Sequence, residues 1–174
     1  MHAYLTAMAR ASYSAPAPAA KPRMVLAALG PRMLELAGAA TDGAHPYLVP
    51  PEHTAQARTI VGHGKLLCPE HKLLLEPDPA KARAVARQTL ARYLQLDNYR
   101  NNLLRLGFSE AELANGGADR VVDALVAWGD EETIRARIKA HWTAGADHVC
   151  LQALSPGRPG PDEDLLARLA PATW

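Results

Sequence analysis

The chain has 174 residues, of which 48% are hydrophobic, and it carries 19 Lys and Arg against 18 Asp and Glu. This length is sufficient for one domain with its own core, because domains commonly contain about 100–150 residues. No uncharged apolar run approaches the ~20 residues of a membrane-spanning helix, and a net charge of +1 lacks the basic excess of a general nucleic-acid binder.

The first predicted elements are a short helix and a linker. The helix is predicted over residues 2–12. The run Ser14–Pro22 reads SAPAPAAKP, and its prolines exclude a helix interior or a central strand. We therefore predict that residues 1–23 form a helix and an Ala/Pro linker ahead of the main domain.

Strand and helix patterns alternate along the rest of the chain. Strands are predicted at residues 24–29, 44–49, 72–76 and 148–154. Helices are predicted from Pro31 to the Asp42–Gly43 pair, over 52–61, from Asp78 through Leu94, and over 119–128, 131–144 and 162–169. The polar, glycine-marked residues 98–117 are predicted to form an excursion of short helices and loops.

This alternation of about four strand–helix units predicts a parallel sheet with right-handed crossovers. An open doubly wound sheet and a piece of a (β/α)₈ barrel both satisfy the pattern. We expect the α/β domain to cover residues 24–154, and a C-terminal helix and tail to cover residues 155–174.

The turn after the first strand, Ala27–Met33, is the best candidate for a binding site, because ligands of parallel α/β folds lie at the carboxyl ends of the strands. Gly30 allows close approach of the backbone, the helix start leaves amide groups free, and Arg32 adds a cation. These features suit a phosphate. The alternative is that Gly30 and Pro31 only separate a strand from a helix.

Three further residues are candidates for a substrate pocket. His45 and Tyr47 lie on or just after the second strand, where an imidazole and a phenol can exchange protons or hydrogen bonds near neutral pH. Gln152, on the fourth strand, is placed to donate an amide hydrogen bond at the mouth of a barrel. Alternatively, His45 is satisfied by the backbone and Gln152 by a packed layer.

No catalytic-triad, zinc-protease or other metal-binding signature is present, and we predict no metal site. Glu70 and His71 are adjacent but lack a third ligand at suitable spacing, which favours a structural or surface role. Cys68 and Cys150 belong to no CxxC pattern and are predicted to be buried small hydrophobes. The polar run Asn98–Asn102 is predicted to form a lid over an active site or to line a substrate entrance, and the alternative is a solvated helix start.

The N-terminal residues 1–10 contain no long apolar region, so no signal peptide is predicted. We therefore expect a cytoplasmic protein that acts on a small molecule, without a membrane or nucleic-acid partner.

Several runs of the sequence together resemble the luciferase-like monooxygenase superfamily, and more narrowly its type that uses the deazaflavin coenzyme F420. The resemblance extends over roughly residues 4–154. The runs that carry it are Val25–Ala37, Ala40–Ala44, Thr54–Arg58, Glu76–Arg83, Trp128–Asp130 and Ala144–Val149.

The resemblance implies a (β/α)₈ barrel that binds F420, or alternatively FMN, at its C-terminal mouth. It also implies hydride transfer between the reduced cofactor and an organic substrate, or oxygen-dependent monooxygenation. The family's phosphate-holding turn corresponds here to Gly30, Pro31, Arg32 and Met33.

The sequence matches only the C-terminal half of such a barrel, because a complete barrel needs about 250 residues. The units that the resemblance implies for much of the substrate pocket have no counterpart, so no catalytic base is assigned. Two alternatives follow. One is a catalytically silent half-barrel, from truncation or as a pseudo-enzyme, and the other is a half-barrel completed by a second copy or by a separate N-terminal half.

Overall fold

The computed structural model describes residues 1–12, 14–16, 18–158 and 160–170. Its strands are β1 (Val25–Ala27), β2 (Gly43–His45), β3 (Leu66–Leu67), β4 (Glu70–Leu75), β5 (Val126–Gly129) and β6 (Cys150–Ala153). Its α-helices are α1 (His2–Arg10), α2 (Pro31–Ala40), α3 (Pro51–Val61), α4 (Pro79–Leu90), α5 (Asp97–Arg105), α6 (Glu110–Leu113), α7 (Asp119–Leu125), α8 (Glu131–Thr143) and α9 (Glu163–Arg168). A short 3₁₀ helix covers Tyr93–Gln95.

Local chemistry explains where the main helices begin. Pro31 occupies the first position of α2, where a missing N–H group costs nothing. The Asp78 carboxylate caps α4 by accepting hydrogen bonds from the Ala80 and Lys81 N–H groups, and Asp130 caps α8 by accepting from Thr133 N at 2.8 Å. The helix starts predicted at these three positions are confirmed.

The strands form two parallel three-stranded sheets, ordered β1-β2-β3 and β5-β4-β6. Only Cys68 and Pro69 separate β3 from β4, so the two sheets share one continuous strand segment. β2 contacts one edge of this segment through the bonds from Cys68 N to Ala44 O and from Glu70 N to Pro46 O. Cys150 N bonds to Pro69 O, which places β6 on the opposite edge.

β5 pairs with β4 beyond the point where β2 leaves the segment. Its register places Lys72 opposite Val126 and Leu75 opposite Gly129. Because β6 lies on the other edge of β4, β5 continues along the edge that β2 occupies as far as Pro46. β2 and β5 therefore line one edge in succession.

The helix predicted over Asp119–Trp128 is wrong in its second half. The helix ends at Leu125, and Val126–Gly129 form β5. The apolar residues of β5 continue the helical spacing of α7, so periodicity alone does not show the change. Pairing with β4 stabilises the extended conformation instead.

Three groups of buried apolar side chains lie between the sheets and the helices. One packs under α2 and α3 and includes Leu34 and Leu67, and a second packs under α8 and α9 and includes Ile138. The third and largest packs β4 and β5 against α4, α7 and the excursion, and it includes Leu90 and Leu125. The opposite face of β4 and β5 is covered by this third group, whereas the opposite face of β1 is open and leaves Ala27 exposed.

The sheets do not close among the described residues, as expected for a half-barrel. The predicted linker over residues 14–22 contains no helix or strand where it is described, and α9 falls in the predicted C-terminal segment. Tyr13, Ala17, Pro159 and residues 171–174 of these segments lie outside the described residues. The predicted domain limits stay a prediction. No helix in the described part of the chain is long and apolar enough to cross a membrane.

Candidate functional site

A cleft of about 350 Å³ opens at the carboxyl ends of β1 and β2, where parallel α/β folds bind their ligands. The first strand and its turn supply one wall through Ala27, Gly30 and Met33. The end of β2 supplies His45 and Tyr47. One side of α5 closes the opposite wall, with Asn98, Tyr99, Asn101 and, at the end of the helix, Arg105.

The Gly30 turn lies at the start of α2 with extended backbone, φ −81° and ψ 161°, and no side chain among the described residues caps this helix. A Cβ atom at Gly30 would lie 3.2 Å from Arg105 Nη2. The guanidinium of α5 therefore packs directly on the glycine. An uncapped helix start with an adjacent cation is a favourable setting for a phosphate.

Only two of the four residues predicted to hold the cofactor phosphate line the cleft. Gly30 and Met33 line the cleft, whereas Pro31 and Arg32 are exposed and are not part of its wall. Arg105, and not Arg32, is the arginine that lines the cleft. The polar excursion gave a signal for this wall, since Asn98–Asn102 was a predicted pocket entrance, but nothing in the sequence distinguished Arg105.

His45, at the end of β2, faces the cleft and is also bonded to the backbone. Its Nδ1 donates to the Cys68 carbonyl oxygen at 2.6 Å, and Cys150 Sγ lies 3.8 Å from the same nitrogen. The backbone partner expected in the alternative interpretation of His45 is present, and its role toward a ligand stays a prediction. Cys68 and Cys150 are half-buried rather than fully buried, and burial raises the pKa of each thiol. Both thiols are thus protonated at neutral pH.

Tyr47 forms an aromatic group with two tyrosines from beyond α4. The Tyr47 and Tyr93 ring centroids lie 5.7 Å apart, and Tyr99 packs edge-on against both rings. The Tyr47 and Tyr93 hydroxyl oxygens lie 3.1 Å apart. This hydrogen bond, followed by burial, raises the pKa of Tyr93, and burial raises that of Tyr99. The three rings form the wall between the cleft and the interior of the sheet.

A buried ion pair lies behind the tyrosine rings. Glu70 and Lys72 lie two residues apart on the same face of β4. Both side chains are 2% exposed, and Lys72 Nζ lies 3.0 Å from Glu70 Oε1. Lys72 Nζ also donates to Tyr47 Oη at 2.8 Å and to Gln152 Oε1 at 2.7 Å. Burial raises the pKa of Glu70, and the Lys72 charge and its hydrogen bond oppose that rise. Both carboxylate oxygens accept hydrogen bonds, Oε1 from Lys72 Nζ and Oε2 from Leu48 N, and this geometry suits the charged form of Glu70.

Glu70 also fixes the backbone that carries Tyr47. Its Oε2 accepts a hydrogen bond from Leu48 N at 2.9 Å, and Leu48 has a positive φ of 58°. A non-glycine residue in this conformation is uncommon and needs support from its surroundings. The carboxylate therefore holds both the Lys72 ammonium and the turn after Tyr47.

A family model described as luciferase-like monooxygenase matches residues 3–148. The chain belongs to the luciferase-like monooxygenase family. No curated protein sequence matches this family member significantly.

Two solved structures share the fold of this luciferase-like protein. An F420-dependent secondary alcohol dehydrogenase, in complex with an F420–acetone adduct, matches with a TM-score of 0.55 and 15% identity over 77% of this chain and 44% of that chain. The coenzyme F420-dependent tetrahydromethanopterin reductase from Methanopyrus kandleri matches with a TM-score of 0.53 and 16% identity over 84% of this chain and 48% of that chain. The predicted half-barrel fold is confirmed, and the chain spans less than half the length of either structure.

The luciferase-like chain also contains a buried histidine layer that the sequence analysis missed. His71 points from β4 toward the helices, and His141 Nε2 of α8 lies 3.1 Å from His71 Nδ1. Thr54 Oγ1 lies 2.9 Å from His141 Nδ1. His71 and His141 are thus in contact, and of the structural or surface role expected for Glu70 and His71 the surface alternative is wrong, because both residues are buried. Strand alternation separates them, with Glu70 on the cleft side and His71 on the helix side.

The Lys72–Glu70 pair was also missed. A Glu-x-Lys pattern with period two is typical of a solvated strand face, and the sequence gives no sign that this face lies inside a barrel. The nearest signal is that three leucines follow Lys72 without interruption, at residues 73–75, which indicates a strand buried on both faces.

Proposed function

We propose that this chain carries the phosphate-binding part of a coenzyme F420 site, in an oxidoreductase that transfers hydride between the deazaflavin and an organic substrate. The observation that carries the proposal is the Gly30 turn with the Arg105 guanidinium packed on it. It lies at the carboxyl end of β1 in a chain of the luciferase-like family. Both structural neighbours described above are F420-dependent, which favours F420 over FMN.

The residues present fit the phosphate end of such a cofactor. The absence of a Cβ at Gly30 allows a phosphate oxygen to approach the backbone, and the uncapped start of α2 offers amide groups. Arg105 contributes charge from the opposite wall. When bound, the deazaflavin supplies a hydride donor or acceptor. The chain's own residues orient it at the cleft and provide polar groups, His45 and Tyr47, beside it.

Fluorescence of F420, titrated with the purified chain, tests this proposal. We expect saturable binding that Arg105→Ala weakens by about tenfold or more, since the lost contact is a charge-assisted hydrogen bond. Gly30→Ala is expected to weaken binding because its methyl group fills the phosphate position. Arg100→Ala, which removes an arginine of the same helix that pairs with Glu110, is the matched control and should bind F420 normally.

Competition with FMN decides between the two cofactors, and FMN displacing F420 at equal concentration would contradict the preference for F420. Absence of binding to either, with inorganic phosphate still bound, would favour the catalytically silent half-barrel instead. Action on a small molecule in the cytoplasm stays a prediction.

A further inference from the structure

The side-chain oxygen of Gln152 occupies a position between two hydrogen-bond donors. Gln152 Oε1 accepts from Lys72 Nζ at 2.7 Å and from Tyr47 Oη at 3.0 Å. Gln152 itself is exposed on β6, whereas the Lys72 side chain is 2% exposed. A neutral carbonyl oxygen on an exposed side chain is thus held by a buried ammonium and a phenol.

A count of the protons on Lys72 Nζ and Tyr47 Oη shows that Gln152 is the one partner that a ligand can replace. The three protons of Lys72 Nζ go to Glu70, Tyr47 and Gln152. The single proton of Tyr47 goes to Gln152, so the Tyr93 hydroxyl donates to Tyr47. Glu70 is buried, and only Gln152 can turn into water and bond there instead. An incoming oxygen would therefore replace the Gln152 oxygen and take both of its hydrogen bonds.

The charge of the site selects the kind of oxygen. Glu70, 3.0 Å from Lys72, neutralises the ammonium, so the pair has no net positive charge to offer an anion. A carboxylate would lie close to the Glu70 carboxylate in a region of low dielectric constant and be repelled. A neutral carbonyl oxygen meets two directed donors and no repulsion.

We propose that Lys72 and Tyr47 form a binding site for the carbonyl oxygen of an aldehyde or ketone, and that Gln152 occupies this site in the absence of the ligand. The inference rests on the proposed function, because a carbonyl carbon held here is a suitable hydride acceptor. Tyr47 lines the cleft that contains Gly30, and Gln152 lines a second cavity beside β6, so their hydrogen bond places the carbonyl site where the two cavities approach each other. The same two donors face the negative charge that develops on the oxygen during reduction.

The direct test is a titration of cyclohexanone, labelled with ¹³C at the carbonyl carbon, with the full chain and without cofactor. Hydrogen bonds to the oxygen move the carbonyl ¹³C resonance downfield, which reports the site without any turnover. We expect this shift with the native chain. Gln152→Ala removes the competing oxygen and should tighten binding about fivefold, as expected for one net hydrogen bond.

Two further variants complete the test. Tyr47→Phe removes one donor while keeping the ring, and it should weaken binding about fivefold and reduce the downfield shift. Gln56→Ala, at an exposed position of α3, should bind cyclohexanone like the native chain. Urea denaturation of each variant confirms that it is folded before it is titrated.

Several outcomes would overturn the proposal. These are no downfield shift, Gln152→Ala binding no more tightly than the native chain, or displacement of cyclohexanone by acetate. F420 fluorescence on the same samples separates the two proposals. F420 binding without cyclohexanone binding rejects only the carbonyl site, and cyclohexanone binding without F420 binding rejects only the proposed function.

Discussion

At the scale of single residues, Lys72 and Glu70 combine two full charges with almost complete burial. Removing two ions from water costs several kcal/mol each, and only their attraction and their other hydrogen bonds recover this cost. Here every proton of Lys72 Nζ and both oxygens of Glu70 have partners. Each member of the pair is therefore stable only in the presence of the other.

We predict that Glu70→Gln lowers the free energy of unfolding by about 3–5 kcal/mol, because it leaves the Lys72 charge buried and unpaired. The double variant Glu70→Gln/Lys72→Met should recover most of this loss, since it leaves no buried charge. Urea denaturation measures both. Glu110→Gln, which breaks the exposed pair with Arg100, is the matched control and should change stability by less than about 1 kcal/mol.

The histidine layer has the opposite electrostatic character, because its members are stable only when neutral. His71 Nδ1 lies 3.3 Å from the Val49 carbonyl oxygen and 3.1 Å from His141 Nε2, and His71 Nε2 has no hydrogen-bond partner among the described residues. Burial lowers the pKa of His71 well below its usual range, and His141 and Arg137 lower it further. Burial, followed by Arg137 and His53, lowers the pKa of His141 to about 4.

The lowered pKa values of His71 and His141 predict that the folded chain loses stability in mild acid. The unfolded chain binds protons at these histidines near pH 6.5, but folded His141 does so only near pH 4. The neutral histidines therefore contribute fully to the free energy of unfolding above about pH 6.5. This contribution is lost as the pH falls toward 4, and for His141 the loss is on the order of 3 kcal/mol.

Urea denaturation at several pH values checks this prediction. His141→Gln should reduce the dependence of the free energy of unfolding on pH between 4 and 6.5, because one titrating group is removed. His63→Gln, at an exposed position, should keep the native dependence. Equal slopes for the native chain and His141→Gln would contradict the assignment.

At the scale of elements, the close approach of β2 to β3 depends on a glycine. A Cβ atom at Gly43 would lie 2.1 Å from the Leu66 carbonyl oxygen, which is too close for any side chain. At Gly30 the nearest atom is instead the end of the flexible Arg105 side chain, at 3.2 Å. The same substitution therefore has different structural costs at these two positions.

Gly43→Ala is predicted to lower the free energy of unfolding by about 1–3 kcal/mol, as for other substitutions that force backbone shifts in a packed region. Gly30→Ala, the control, should leave stability nearly unchanged because Arg105 can move. Thermal or urea denaturation compares the two variants. A loss of equal size in both would show that the β2–β3 approach is not the cause.

Element types were largely predictable from the sequence, whereas the side-chain clusters were not. Pro31, Asp78 and Asp130 mark helix starts through local chemistry, which requires no tertiary information. Val126–Gly129 was misassigned because its extended form depends on β4, a strand more than 50 residues earlier. The position of Lys72 opposite Gln152 depends on a strand register that no local pattern encodes.

At the scale of the whole molecule, the open edges of the sheets are the main feature to be explained. Among the described residues, β1 and β6 each have one edge without a partner strand. Exposed parallel edges favour pairing with another chain. The strand positions β1, β2, β3–β4 and β6 supply four of the eight that a (β/α)₈ barrel contains, so two copies can close one barrel by pairing β6 of each with β1 of the other.

We therefore predict that the purified chain forms a dimer in the micromolar range, measured by light scattering. Leu26 packs against the helices, so Val25 points to the open face beside the free edge. Val25→Lys should weaken the dimer, whereas Gln56→Lys, with the same charge on the outer helix α3, should not. A native chain that stays monomeric across this range would exclude self-completion and favour a separate N-terminal half.

The hydrogen bond that Glu70 Oε2 accepts from Leu48 N limits which substitutions this part of the fold tolerates. One carboxylate compensates the Lys72 charge and also braces the turn that carries Tyr47, so a mutation there alters electrostatics and geometry in a single step. Tyr99 contacts the site through its ring alone. A substitution at Tyr99 therefore changes the shape of the cleft without breaking a hydrogen bond of the ion pair, whereas a change of Glu70 or Lys72 requires a change of the other.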